Sequence, residues 1–92
     1  MSIPVSNPIS NEVLAAATNL YPNPANNSFT ISSELIDEAD VVQIMNVNGQ
    51  LVQTLNKVRM NEKIDISSLS DGVYFVTIHS TSGIATKKLI IQ

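Results

Sequence analysis

The 92-residue chain has no cysteine and no tryptophan. Without cysteine there is no disulfide framework, no thiolate metal site and no cysteine nucleophile. Large aromatics number four, Tyr21, Phe29, Tyr74 and Phe75, so the core has to be aliphatic. Bases are few: five against eight acids, for a net charge of −3. The only adjacent pair is Lys87 and Lys88, so the basic patch of a nucleic-acid binder is missing, and nucleic acid and anionic lipid drop out as partners. No apolar run approaches the ~20 residues that cross a bilayer. Gly49, Gly72 and Gly83 are the only glycines, which excludes a phosphate-cradling loop. A chain of this size forms one domain and buries roughly 60–70% of its unfolded surface, leaving little mass for a deep substrate cleft.

What is present is alternation. After residues 1–19, read as a flexible lead-in with Pro4, Pro8 and a "NEVLAAA" stretch too short for a stable helix alone, the period-2 pattern of strands dominates. Phe29 and Ile31 share a face, as do Val42 and Ile44, Ile64 and Ile66, Tyr74, Val76 and Ile78, and Leu89 and Ile91. Asn48-Gly49 is a strong hairpin signal, since both residues tolerate positive φ. "SSLSDG" and "TSG" supply further turns. About seven short strands at this spacing predict an all-β, antiparallel two-sheet β-sandwich of the Ig-like kind. The last strand is expected at an edge, or inserted with a sterically free end.

The segment "LYPNPANNSFTI" (residues 20–31) marks where the domain begins. Pro22 and Pro24 fix φ and remove two N–H donors, and Tyr21 and Asn23, each preceding a proline, are pushed to extended geometry. The expectation is a stiff segment that cannot pair fully in a sheet, followed by an Asn26-Asn27 turn into the Phe29 strand. The domain therefore spans residues 20–92, behind a 1–19 linker.

Candidate chemistry is thin. His79 is alone on the more polar face of its strand. Glu34, Asp37, Glu38 and Asp40 fall in one acidic loop that lacks the D-x-D-x-D-G calcium pattern and reads as a solvated loop. Asp65, between Ile64 and Ile66, faces water. No G-x-S-x-G elbow is present. "NNS" at residues 26–28 matches the N-glycosylation acceptor, but a turn explains it as well. Val73 and Phe75 are expected to be buried against a neighbouring loop rather than to form an exposed apolar spot. These residues describe a non-enzymatic β-sandwich that needs no cofactor or metal.

Four segments in order carry a family resemblance: "LYPNPANNSFTI", "VQIMNVNGQLV" (residues 42–52), "IDISSLSDGVYFVTI" (residues 64–78) and "TKKLIIQ" (residues 86–92). Together they resemble the boxes of the type A C-terminal sorting domain of the type IX (Por) secretion system, over about four fifths of the chain. The residues that match are Tyr21, Pro22, Asn23, Pro24, Asn46, Gly49, Leu69, Gly72 and Tyr74. Asn46 stands where the family often has Asp, and Gln92 where Lys or Arg is frequent.

The resemblance implies an address label with no chemistry of its own. Cargo N-terminal to the domain crosses the inner membrane by a separate signal peptide, and the domain folds in the periplasm. An outer-membrane translocon then recognises it, without the domain itself inserting in the membrane. A sortase-like peptidase cuts upstream, within or just before residues 1–19, and cargo reaches the cell surface or the medium. On this reading Lys87, Lys88, Leu89, Ile90, Ile91 and Gln92 form the end read by the translocon, by edge pairing of the terminal strand. Gly72, Tyr74 and Asn48-Gly49 shape the fold. The alternative is a non-catalytic carbohydrate-binding or fibronectin-like adhesion module, against which the scarcity of aromatics weighs.

Overall fold

In a computed structural model, which describes residues 11–92, the chain forms one short helix and seven strands. In order these are α1 (Asn11–Ala16), β1 (Thr18–Tyr21), β2 (Ser28–Ser33), β3 (Glu38–Asn46), β4 (Leu51–Arg59), β5 (Lys63–Asp65), β6 (Gly72–Ser80) and β7 (Gly83–Ile91). A three-stranded sheet has the order β1-β2-β5, and a four-stranded sheet the order β4-β3-β6-β7. Every strand pair within the sheets is antiparallel. The architecture is the all-β two-sheet sandwich that the alternation predicts.

The core lies between the sheets and is aliphatic, as the composition requires. Phe29, Ile31, Val42, Ile44, Ile66, Val76, Ile78 and Leu89 are fully buried, and Ile64, Tyr74 and Ile91 nearly so. These are alternating positions of β2, β3, β6 and β7, with Ile64 in β5 and Ile66 just beyond it, so the period-2 pattern separates core from surface correctly. Burying each such side chain contributes about 1.5–3 kcal/mol.

Residues 11–19 differ from the lead-in expectation. Six residues are too few to hold a helix by themselves, but Leu14 plugs α1 into the core with no exposed surface. Two of the carbonyls that a helix end leaves without intrahelical partners are met by side chains: Leu14 O accepts from the buried Thr18 hydroxyl at 2.6 Å, and Ala15 O from Lys87 Nζ at 2.9 Å. Strand β1 then starts at Thr18, with Leu20 opposite Ile31. Residues 1–10 of the expected linker lie outside the described residues.

Four local expectations are corrected. The β3–β4 connection is not a two-residue turn with both residues at positive φ; only Gly49 is positive, at 83°. Asn46 begins the turn instead, its carboxamide oxygen accepting from the N–H groups of Asn48 and Gln50 while its backbone carbonyl accepts from Gly49 N. A side chain that caps two donors starts the loop early, and Gly49 in the left-handed region closes it. The acidic loop is shorter than the run of acids, because Glu38 and Asp40 already lie in β3. Asp65 does not simply face water: its carboxylate accepts from Ser67 N at 3.0 Å. Val73 and Phe75 stay exposed, at 37% and 38%, since no described loop crosses the outer face of β6.

Candidate functional site

The residues assigned to recognition all lie on or just beyond β7, and the strand's alternation divides them. Leu89 and Ile91 point into the sandwich and are core. Lys87 points the same way, half-buried, with its ammonium on the Ala15 carbonyl of α1. Lys88, Ile90 and Gln92 point outward, Lys88 and Gln92 exposed and Ile90 half-exposed. Opposite them on β6, Phe75 pairs with Lys88 and Val73 with Ile90. The outer face at this end of the sheet therefore presents one ammonium among three apolar side chains.

The edge of β7 is not free, although β7 is the last strand of its sheet. The segment between β1 and β2 runs along it. Ala25 forms a parallel bridge to Ile91, with Ala25 N donating to Ile90 O at 2.7 Å and Gln92 N donating to Ala25 O at 2.8 Å. One step back along the strand, the Asn23 side chain takes over: Nδ2 donates to Lys88 O at 2.9 Å, and Oδ1 accepts from Ile90 N at 3.0 Å. At the strand's start, Asn11 Oδ1 accepts from Ile84 N at 3.0 Å.

In a parallel ladder the groups that would follow Ala25 along β7 are the backbone N–H and C=O of Asn23 itself, and here the Asn23 side chain stands in their place. A carboxamide has the same donor and acceptor as a peptide group, and Asn23 supplies both. "YPNP" is thus a strand substitute laid against the edge of β7, and both of its Xaa–Pro bonds, Tyr21-Pro22 and Asn23-Pro24, are cis.

The remaining motif residues sit at joints of the fold. The Tyr21 hydroxyl donates to Asn61 Oδ1 at 3.1 Å. Asn46 and Gly49 close the β3–β4 turn. Leu69 lies half-buried against the core in the turn before β6. Gly72 opens β6 with φ at 154°, a conformation L side chains rarely adopt. Tyr74 is buried, and its hydroxyl donates to Ser70 O at 2.7 Å, tying that turn to the sheet. Asn11 and Ala25 also hold β7, and sequence reasoning missed both. The N-P spacing flagged Asn23, but nothing in the pattern marks an alanine or a distant asparagine.

Other candidates stay apart from β7. His79 meets Gln43 across β3 and β6 at 3.2 Å. Asp40 pairs with Lys57 at 3.4 Å, both well exposed. Among the described residues no three His, Cys, Asp or Glu side chains gather as a metal site, and no helix is long and apolar enough to cross a membrane.

Residues 19–92 match the model of a family described as the secretion system C-terminal sorting domain. The chain is also 32% identical over 73 residues to beta-agarase A of Zobellia galactanivorans, an alignment covering 79% of this chain. The same alignment covers 13% of the agarase, so the chain spans about an eighth of that relative's length. The matched region takes in β2 to β7, all of β1 but Thr18, and the segment from Pro22 to Ala25 that edges β7, and the chain belongs to the secretion system C-terminal sorting domain family, whose members are sorting signals for type IX secretion.

Proposed function

We propose that the chain is the label by which a cargo protein, fused on its N-terminal side, is handed to the outer-membrane translocon of the type IX system. A surface peptidase then removes it, and the cargo ends on the cell surface or in the medium. The domain performs no catalysis. The observation that carries the reading is the division of β7: its inward side chains are spent on the core, which leaves Lys88, Ile90 and Gln92 as the part of the terminal segment a partner can touch. Val73 and Phe75 extend that surface. Cleavage falls upstream of Asn11, because α1 and β1 tie residues 11–19 into the fold and a peptidase needs extended, accessible chain.

The experiment is export of a fluorescent reporter carrying an inner-membrane signal peptide and this chain at its C-terminal end, in a host with the type IX system. Removing residues 87–92 would also take Leu89 and Ile91 out of the core and confuse recognition with folding. The double variant Lys88→Glu, Ile90→Ser changes the outward side chains only. It is expected to keep the melting temperature within a few degrees, as surface substitutions do, and to leave the reporter in the periplasm. Export at the unsubstituted level would remove the outward face of β7 from the reading.

A further inference from the structure

We infer that Asn23 is a positioning residue for sorting: its carboxamide closes the edge of β7, so that the machinery meets the outward face of the terminal strand and not a free backbone edge. The inference rests on the sorting reading above. It replaces the expectation that a partner adds a strand to the terminal edge.

The geometry is that of a ladder closed from Lys88 O to Gln92 N. A partner strand pairing with residues 88–92 would need Lys88 O, Ile90 N, Ile90 O and Gln92 N. All four are already engaged, two by the Asn23 side chain and two by Ala25 backbone, at 2.7–3.0 Å. A strand added there would first have to displace the clip. Tyr21, Pro22, Asn23 and Pro24 are exposed while Ala25 is buried. The clip is therefore anchored at Ala25 and by the pairing of β1 with β2, and its exposed middle is held to β7 by Asn23.

Two separated stretches of sequence thus form one structural unit. Without the carboxamide, Lys88 O and Ile90 N lose their partners, and the backbone that carries Lys88 and Ile90 can fray from the sheet edge. An exposed unpaired edge also invites pairing with other chains. Asn23 acts on the recognised side chains through the backbone that bears them.

The test is Asn23→Ala in the full chain, read in two ways. By amide hydrogen exchange, Ile90 is expected to exchange at least about tenfold faster, the loss of a hydrogen bond from a locally opening segment, with Val76 in the centre of the sheet unchanged. In the reporter assay, export is expected to fall well below that of Ile31→Val. That variant serves as a control of comparable melting temperature with the clip intact. Faster Ile90 exchange with undiminished export overturns the inference, as does unchanged exchange. Equal loss of export in the control also overturns it, since stability alone would then be the cause. If the unsubstituted fusion itself stays in the periplasm, the sorting reading fails and takes the inference with it.

Discussion

The four-stranded sheet has two edges, and they are finished in opposite ways. At one, β7 is covered along much of its length by Asn11, Asn23 and Ala25. At the other, β4 pairs with β3 alone and is protected by irregularity. Lys57 sits in the left-handed region with φ at 56°, and it and Asp40, opposite one another between the Ala39–Val58 and Val41–Asn56 pairs, form no ladder pair of their own. A register shift between Ile44 and Met45 leaves Val52 unpaired. Bulges and an exposed lysine are how open edges discourage pairing with other chains. The molecule commits hydrogen-bonding cover to the edge that carries its terminal motif and leaves the opposite edge twisted and charged. The covered edge belongs to a strand with several side chains in the core; the open one belongs to a strand that buries Val58 alone, its Gln53 and Leu55 being only half-buried.

The largest effect expected from this contrast is on stability. Leu89→Ala on β7 empties a fully buried site and should cost about 2–5 kcal/mol. Leu55→Ala on β4, at a half-buried site, should cost roughly 1 kcal/mol. Urea unfolding of the two variants measures the difference. Equal losses would mean that β4 is anchored as firmly as β7, and the contrast between the strands would fail.

A smaller effect tests the open edge. Lys57→Gly relieves a left-handed backbone that costs an L-residue about 1–2 kcal/mol. It also adds the flexibility of glycine and removes an exposed ion pair with Asp40 worth about 0–1 kcal/mol. These terms oppose each other, so stability should shift by no more than about 1 kcal/mol. Self-association is where the variant should differ: light scattering at rising concentration is expected to show oligomers for Lys57→Gly and none for Lys88→Gln on the outer face of β7. Oligomers from both, or from neither, would show that this lysine does not guard the edge.

Both edges were only partly legible in the sequence. Alternation at Val42–Ile44, Tyr74–Ile78 and Leu89–Ile91 gives the inward face of each strand, because side chains on a pleated strand alternate with period two. The same rule, applied to Lys87 through Gln92, already separates Lys87, Leu89 and Ile91 from Lys88, Ile90 and Gln92. A block of six recognition residues overlooked it. The clip was out of reach for a different reason. The prolines announced a segment unable to pair by backbone, but the Asn23 contacts span 65 and 67 residues, and no local pattern encodes them. Helix α1 was hidden because six residues are too few for propensity alone to hold a helix, and its stability comes from Leu14 in the core. The Asn46 turn was hidden behind the louder Asn48-Gly49 signal.

The smallest expected effect concerns a hydrogen bond that reaches from β4 to the other sheet. Gln53 Nε2 donates to the backbone carbonyl of Asp65 at 3.0 Å, and the Asp65 carboxylate in turn caps Ser67. Hydrogen bonds from the Ser67 backbone N–H, and then from its hydroxyl, hold the Asp65 carboxyl below its usual value of 3.8. A pKa depressed by folding contributes stability above the unfolded value, and the contribution is lost as pH falls through the folded value. The melting temperature of Asp65→Ala should therefore lie slightly below that of the unsubstituted chain at neutral pH. The gap should begin to narrow as pH drops below 3.8 and close once pH passes the lowered folded value, where Asp65 is protonated in both states. If the Ser67 cap holds the end of β5 in place for Gln53, amide exchange in the middle of β4 should quicken in the same variant at neutral pH, while exchange along β7 stays unchanged. A change along β7 as large as that along β4 would show that the two edges are not finished independently.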